Sequence, residues 1–146
     1  MPGIMRLLLQ VNLVHHRGRP DLFKGPATKY TESELLSILS DDRTPVFVWA
    51  DEEENVLAHC FCVFRREANS GLMTGVKTLY IDDLCVDENC RGQGIGRAMY
   101  AFVRDFARKM GCYHITLNVW TLNQPALRFY ERCGLKPQKI GMEEIL

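Results

Sequence analysis

Apolar residues recur every three or four positions at the start of the chain: Ile4, Leu7, Leu8, Val11 and Val14. That period predicts an amphipathic helix, and Gly18 and Pro20 in "HHRGRP" bring it to an end. In "TESELLSIL", Thr31 and Glu34 form a capping-box pair ahead of an apolar run, which predicts a second, short helix. The pattern then changes. "PVFVWA" and "VLAHCFCVF" are β-branched and aromatic and predict two strands, with the acidic "DEEEN" as their hairpin turn. After a loop, "REANSG", the segment "KTLYIDDLCV" predicts a third strand interrupted by Asp82 and Asp83. A helical stripe returns at Ile95, Met99, Phe102, Val103, Phe106 and Met110, over about 96–110, and Gly111 terminates it. "CYHITLNVW" alternates Tyr113, Ile115, Leu117 and Val119 with His114, Thr116, Asn118 and Trp120, a strand with two distinct faces. "NQPALRFYERC" predicts a short helix with Asn123 as cap, Pro125 in the first turn and Gly134 as terminator. The tail "LKPQKIGMEEIL" has room for one or two final strands. The predicted order, α-α-β-β-β-α-β-α-β, is that of an α/β chain with a mixed sheet flanked by helices. Without repeats, low-complexity segments or a linker, one domain over 1–146 is expected.

Composition narrows the function classes. At 146 residues the chain can bury a real core, and 47% hydrophobic with 25% charged is ordinary for a soluble protein. Eighteen basic residues against 18 acidic argue against nucleic acid as a partner, since binding a phosphate backbone needs a basic excess. No apolar run approaches the roughly 18 residues that span a bilayer. The short apolar stretch near the start lacks a basic lead and a small-residue cleavage site, so no signal peptide is read and a cytoplasmic location is expected. The six cysteines are scattered, with no C-x-x-C pair and no histidine at zinc spacing. They read as reduced structural thiols, with no metal. Cys60 and Cys62, two apart in a strand, share one face as small core residues.

Three glycines at alternate positions, Gly92, Gly94 and Gly96, stand where a helix has to start. A strand, a glycine-rich turn and a helix together make a phosphate cradle. The first N–H groups of the helix are unpaired, its dipole adds partial positive charge, and glycine lets the main chain turn several N–H groups inward. Two nucleotide fingerprints are absent. G-x-G-x-x-G would need Gly or Ala at Arg97 or Met99, and no G-x-x-x-x-G-K-S/T occurs. The spacing present is Arg91-x-x-Gly94-x-Gly96.

That segment resembles motif A, Q/R-x-x-G-x-G/A, of the GCN5-related N-acetyltransferases. Its context agrees: the strand "DDLCV" ends five residues before Arg91. "NQPALRFYERCGL" is similar to the family's N-x-x-A-x-x-F-Y-x-x-x-G-F/L signature, with Asn123, Ala126, Phe129, Tyr130 and Gly134 in place. The resemblance covers roughly 46–136 and implies that family's mixed sheet. It departs at the start, where the family usually has a strand and this chain has a helix by Ile4; one sheet edge would then be unpaired. The resemblance further implies acetyl-CoA as co-substrate, with its acetyl group passed directly to a primary amine in a ternary complex. Arg91, Gly92, Gln93, Gly94, Ile95, Gly96 and Arg97 would hold the pyrophosphate, Arg97 mainly through its main chain. Leu84, Cys85 and Val86 would pair with the pantetheine amides, one N–H polarising the thioester oxygen. Asn123, Ala126, Phe129 and Tyr130 would complete the cofactor site, and Tyr130 matches the family's general acid.

Transfer to an amine needs a proton acceptor at neutral pH, because free amines titrate near about 10. Asp82 and Asp83 are the available acids. Strand alternation points them to opposite faces, so at most one should face the amine unless a bulge intervenes. The spermidine/spermine N-acetyltransferases carry a similar pair, and Asp82 matches the position of their base, leaving Asp83 as a substrate contact. The alternative is that both simply bind neighbouring main chain or an arginine. For Tyr130 the alternative is a core tyrosine among Ala126, Leu127, Phe129 and Cys133. His15, His16, Arg17, Arg19 and Tyr30 lie where the family shapes its acceptor site, and Asn118 and Trp120 share a strand face that could line it. His16, Tyr30, Asn118, Trp120 and Asp83 together suggest a small cationic amine, a polyamine or an amino-acid-like molecule. Protein N-termini or lysines, aminoglycosides, and a non-catalytic acyl-CoA sensor stay open, as does a homodimer; no nucleic-acid or membrane partner is expected.

Overall fold

The computed structural model describes residues 1–146. Two helices come first, α1 (Pro2–Gly18) and α2 (Glu32–Leu39), followed by strands β1 (Val46–Ala50), β2 (Val56–Arg66) and β3 (Lys77–Val86). A short 3-10 turn, Glu88–Cys90, leads into α3 (Ile95–Lys109), then β4 (His114–Leu117) and α4 (Gln124–Arg132). The capping box forms as the sequence implies: the Glu34 N–H donates to the Thr31 hydroxyl at 3.2 Å and the Glu34 carboxylate accepts from the Thr31 N–H at 2.8 Å.

The four strands lie in chain order, β1 to β3 antiparallel and β3 to β4 parallel. No strand precedes α1, so β1 is one edge of the sheet. Strand alternation divides the core between the two faces. Ala58, Cys60, Cys62, Leu79 and Ile81 pack on Ile95, Met99 and Val103 of α3. Phe61 on the other face packs on Ile4 and Leu8 of α1 and Leu35 of α2. All six cysteines are free.

Four local expectations are corrected. Phe102 and Met110 are exposed, and Tyr100 and Ala107 take the inner side of α3 with Ile95, Met99 and Val103. The sheet ends at β1, and at that flank of α3 Phe47 stands edge-on to Phe102 at 5.4 Å. The tail adds no strand. β4 stops at Leu117, so Asn118 and Trp120 lie beyond it rather than on one of its faces.

The fourth correction concerns the acids. β2 pairs Phe61 with Asp83 and Cys62 with Ile81, so Asp82 is an extra residue with no partner, a β-bulge. The bulge resets the alternation and turns both carboxylates to the α1–α2 face, where Asp82 meets Tyr30 and Asp83 meets His59. At the same place the parallel strands separate: β4 pairs with β3 only from Thr78 to Ile81.

Candidate active site

Beyond Ile81, β3 continues without β4 beside it. The Asp87 N–H donates to the Leu57 carbonyl at 2.8 Å, so 83, 85 and 87 direct their main-chain groups toward β2. Leu84 and Val86 therefore direct theirs into the gap that β4 has left, an open strand edge inside the molecule.

The chain then turns. The buried Asp87 carboxylate accepts the Asn89 N–H at 3.0 Å and the Arg6 guanidinium, tying the turn to α1. Its pKa lies below the ordinary aspartate value, through the Asn89 bond first and then the arginine. Gly92 and Gly94 both adopt φ of 80°, the left-handed region. A Cβ there would meet no atom within 4 Å, so main-chain conformation, not crowding, requires glycine. Gly94 precedes α3, whose first turn has no side-chain cap and no acidic residue. Gly96 has a different reason: its Cβ would sit 3.3 Å from both the Phe129 ring and Val86, so a larger residue would push these side chains back by a few tenths of an ångström. Arg91 donates from Nε to the Val86 carbonyl at 3.4 Å, and Arg97 is exposed beside the loop.

α4 is positioned by Asn123, whose side chain accepts the Ala126 N–H at 3.3 Å. It carries Phe129 against Gly96, with the Tyr130 ring edge-on to Phe129 at 5.2 Å. Burial pushes the Tyr130 phenol well above its ordinary value, and the Cys60 thiol and Asp83 carboxylate add to this. Tyr130 thus holds its proton throughout the neutral range.

On the α1–α2 face the two acids have different neighbours. Asp82 accepts from the Tyr30 hydroxyl and from Lys29 Nζ at 2.8 Å. Burial, and then the bond to Asp82, raise the Tyr30 phenol, whose ring packs on Phe61 at 5.6 Å. Asp83 Oδ2 lies 2.6 Å from Nε2 of His59. His59 is wholly buried, stands edge-on to Phe61, and has no partner at Nδ1. Nearby charge from Asp83 adds to the upward shift of the Tyr30 and Tyr130 phenols. Burial lowers the His15 pKa against the opposing pull of Asp83.

His15 stacks on Phe23 at 5.0 Å, and Phe23 meets Trp120 edge-on at 5.0 Å. The structure therefore brings Trp120 to the helix α1 end of the cleft. His16 instead holds a loop: its Nδ1 is 2.7 Å from the Phe23 carbonyl and its ring lies against Gly25, where a Cβ would come within 2.5 Å. Asn118 donates to the Tyr80 hydroxyl at 3.4 Å. His59, Lys29 and Phe23 were not singled out by sequence. His59 sits among core residues in "VLAHCFCVF", and its one clue is a polar residue in an otherwise apolar strand.

The chain is similar to several known proteins. Residues 13–135 match the model of the Acetyltransferase (GNAT) family. A glucosamine 6-phosphate N-acetyltransferase of Arabidopsis thaliana is 30% identical over 99 residues, 59% of this chain and 64% of that protein. A streptothricin acetyltransferase of Streptomyces lavendulae is 43% identical over 56 residues, 38% of this chain and 30% of the other. In both cases the match spans less than two thirds of the relative's length. A mutant form of the BH1408 protein of Bacillus halodurans superposes with a TM-score of 0.95 at 31% identity, covering 99% of this chain and 92% of the other.

Proposed function

Since this chain belongs to the GNAT family of acetyltransferases, we propose that it moves the acetyl group of acetyl-coenzyme A to the amine of a small molecule, by direct attack in a ternary complex. The observation that carries this reading is the parting of β3 and β4 at Asp82, which opens a main-chain edge between the glycine turn and two carboxylates. Left-handed Gly92 and Gly94 and the bare start of α3 fit a pyrophosphate, with Arg91 and Arg97 nearby. Leu84 and Val86 fit the amides of a pantetheine arm, and Asn123, Ala126 and Phe129 close the site from α4.

Acetyl-coenzyme A supplies the activated acyl carbon. The chain's own groups handle the protons. A nitrogen–carbon bond forms and a carbon–sulfur bond breaks; the amine gives up a proton, and the departing sulfur needs one. Tyr130, half-buried and protonated, is suited to give that proton. We assign proton acceptance from the amine to Asp83. The match to other acetyltransferases gives that role to Asp82, but Asp82 Oδ2 already takes two donors, Tyr30 and Lys29. Asp82, with the aromatic groups His15, Phe23 and Trp120, is suited to hold and orient the acceptor. Relatives named for an amino-sugar phosphate and for streptothricin support a small amine-bearing acceptor.

The test is release of free thiol from acetyl-CoA across a panel of amino sugars, polyamines, amino acids, aminoglycosides and peptides. Turnover with at least one small amine is expected. Turnover with peptides alone would make the acceptor a protein, and tight acetyl-CoA binding without turnover on any amine would make the chain a sensor.

A further inference from the structure

Two carboxylates on one face of a cleft can each hold a cation, the arrangement that a polyamine needs. This chain fills one of the two places with its own side chain. Lys29 Nζ donates to Asp82 Oδ2 at 2.8 Å and to the Asp82 carbonyl at 3.3 Å, so it is held at two points of one residue. The Tyr30 hydroxyl donates to the same carboxylate oxygen. Asp82 is the more covered partner, its side chain 20% exposed against 46% for Lys29. A pair shielded in this way is screened less by salt than a fully exposed one. Asp83 differs, because its partner is the buried ring of His59 and no lysine or arginine pairs with it. Among Asp82, Asp83 and Lys29 one negative charge is left over.

The uncharged part of the same side is aromatic. His15 stacks on Phe23, Phe23 meets Trp120 edge-on, and Trp120 keeps 45% of its surface exposed. His15 also lies near the charged groups: Asp83 raises its pKa and Lys29 lowers it. Such rings give a flat apolar body a large contact area. They offer no counter-charge, so a second ammonium entering here would lose water and gain no partner.

Building on the acetyl-transfer reading above, we propose that Lys29 is a specificity-determining residue. It stands where the second ammonium of a polycationic acceptor would bind, and so restricts the acceptor to a monoamine with a flat apolar body. The reacting amine takes the free charge of Asp83, and the body lies along His15, Phe23 and Trp120. Asp82 meets this acceptor through its pair with Lys29 and not as a free anion. Removing the Asp82 charge would release Lys29 as an unpaired cation beside the incoming ammonium. Discrimination of this kind works by leaving the wrong ligand unpaired, without any new contact to the right one.

The test is calorimetric titration of two probes, phenethylamine and spermidine, into the intact chain saturated with coenzyme A, whose free thiol allows binding without turnover. The wild type should bind phenethylamine at least about 10-fold more tightly than spermidine. Lys29→Met keeps most of the side chain without its charge and frees Asp82. It should tighten spermidine about 10-fold and leave phenethylamine within about 3-fold. Lys29→Arg keeps the charge and should keep the wild-type order. Trp120→Ala should weaken phenethylamine about 10-fold and leave spermidine unchanged. Unchanged circular dichroism separates these effects from misfolding. A wild type that binds spermidine as tightly as phenethylamine, or binds neither, would overturn the proposal. So would a Lys29→Met variant that weakens both probes alike, which would make Lys29 structural. Thiol release from acetyl-CoA separates the two readings. If no amine releases thiol, acetyl transfer fails while the binding order still judges Lys29. If polyamines release thiol best in both wild type and Lys29→Met, acetyl transfer stands and this proposal falls.

Discussion

The two sides of the cleft at the end of β3 are built by different means. On the glycine-turn side the contacts come from main chain: the left-handed turns at Gly92 and Gly94, the open edge of Leu84 and Val86, the uncapped start of α3. On the acceptor side they come from side chains far apart in sequence: Tyr30 to Asp82, His59 to Asp83, Phe23 to Trp120. Main-chain recognition suits a ligand whose chemistry stays the same, because any residue that keeps the conformation keeps the contact. Side-chain recognition can change one residue at a time without disturbing the fold. In the proposed reading, this difference separates the part of the site that would hold acetyl-CoA from the part that would select the acceptor.

Six substitutions at five positions sharpen that division, in falling order of effect. Tyr130→Phe removes a single hydroxyl from the middle of the cleft. Its kcat should drop ~10- to 10³-fold with acetyl-CoA affinity unchanged. In the wild type the raised phenol keeps its proton, so kcat should not fall on the alkaline side before about pH 10, where an ordinary tyrosine would already be half ionised. An unchanged kcat in the phenylalanine variant would return Tyr130 to the core.

Asp83→Asn should lower kcat roughly 10- to 100-fold at neutral pH, where the amine is mostly protonated. The loss should shrink as pH nears the amine's own value. Asp82→Asn should instead raise the acceptor KM with kcat nearly kept. If the two variants exchange these profiles, the base is Asp82.

In the proposed mechanism His59 would act through Asp83, 2.6 Å from its Nε2. His59→Leu removes the donor at Asp83 and should lower kcat about 10-fold, whereas His59→Gln, which keeps an N–H near the same place, should recover most of it. If kcat is the same in both variants, His59 is only core.

The smallest effect on chemistry belongs to Asp87→Asn. Losing a buried carboxylate bonded to Asn89 and Arg6 should cost about 1–3 kcal/mol and lower Tm by several degrees, with kcat retained. Because the folded pKa of Asp87 is depressed, its stabilisation is present above the ordinary aspartate value and lost as pH falls through the folded one. The asparagine variant should therefore show a smaller loss of stability between pH 5 and acid than the wild type.

The same division governs what the sequence could reveal. The glycine turn, the capping box and the Asn123 cap depend on residues within a few positions of each other, so spacing alone exposes them. Asp82 and Asp83 were visible as acids in a strand, but not their shared face. The bulge is a property of the pairing with β2, and no residue of β3 announces it. His59 hid because an apolar strand with one histidine looks like core until Asp83 is placed beside it. Phe102 misled because a helix period gives a face but not the width of the sheet that covers it. The tail's alternation of Ile140 and Met142 suggests a strand, but no ladder forms there, because alternation fixes a face and not a partner.

Calorimetric titration of acetyl-CoA into three proteins tests the central claim most directly: wild type, Gly94→Asp, and Asp82→Asn/Asp83→Asn. Aspartate at position 94 must adopt a φ near 80° and brings a negative charge into the turn, so affinity should fall ~100-fold or more. The double acid variant should bind acetyl-CoA as the wild type does. Equal binding by Gly94→Asp, or a comparable loss in the double acid variant, would contradict the account.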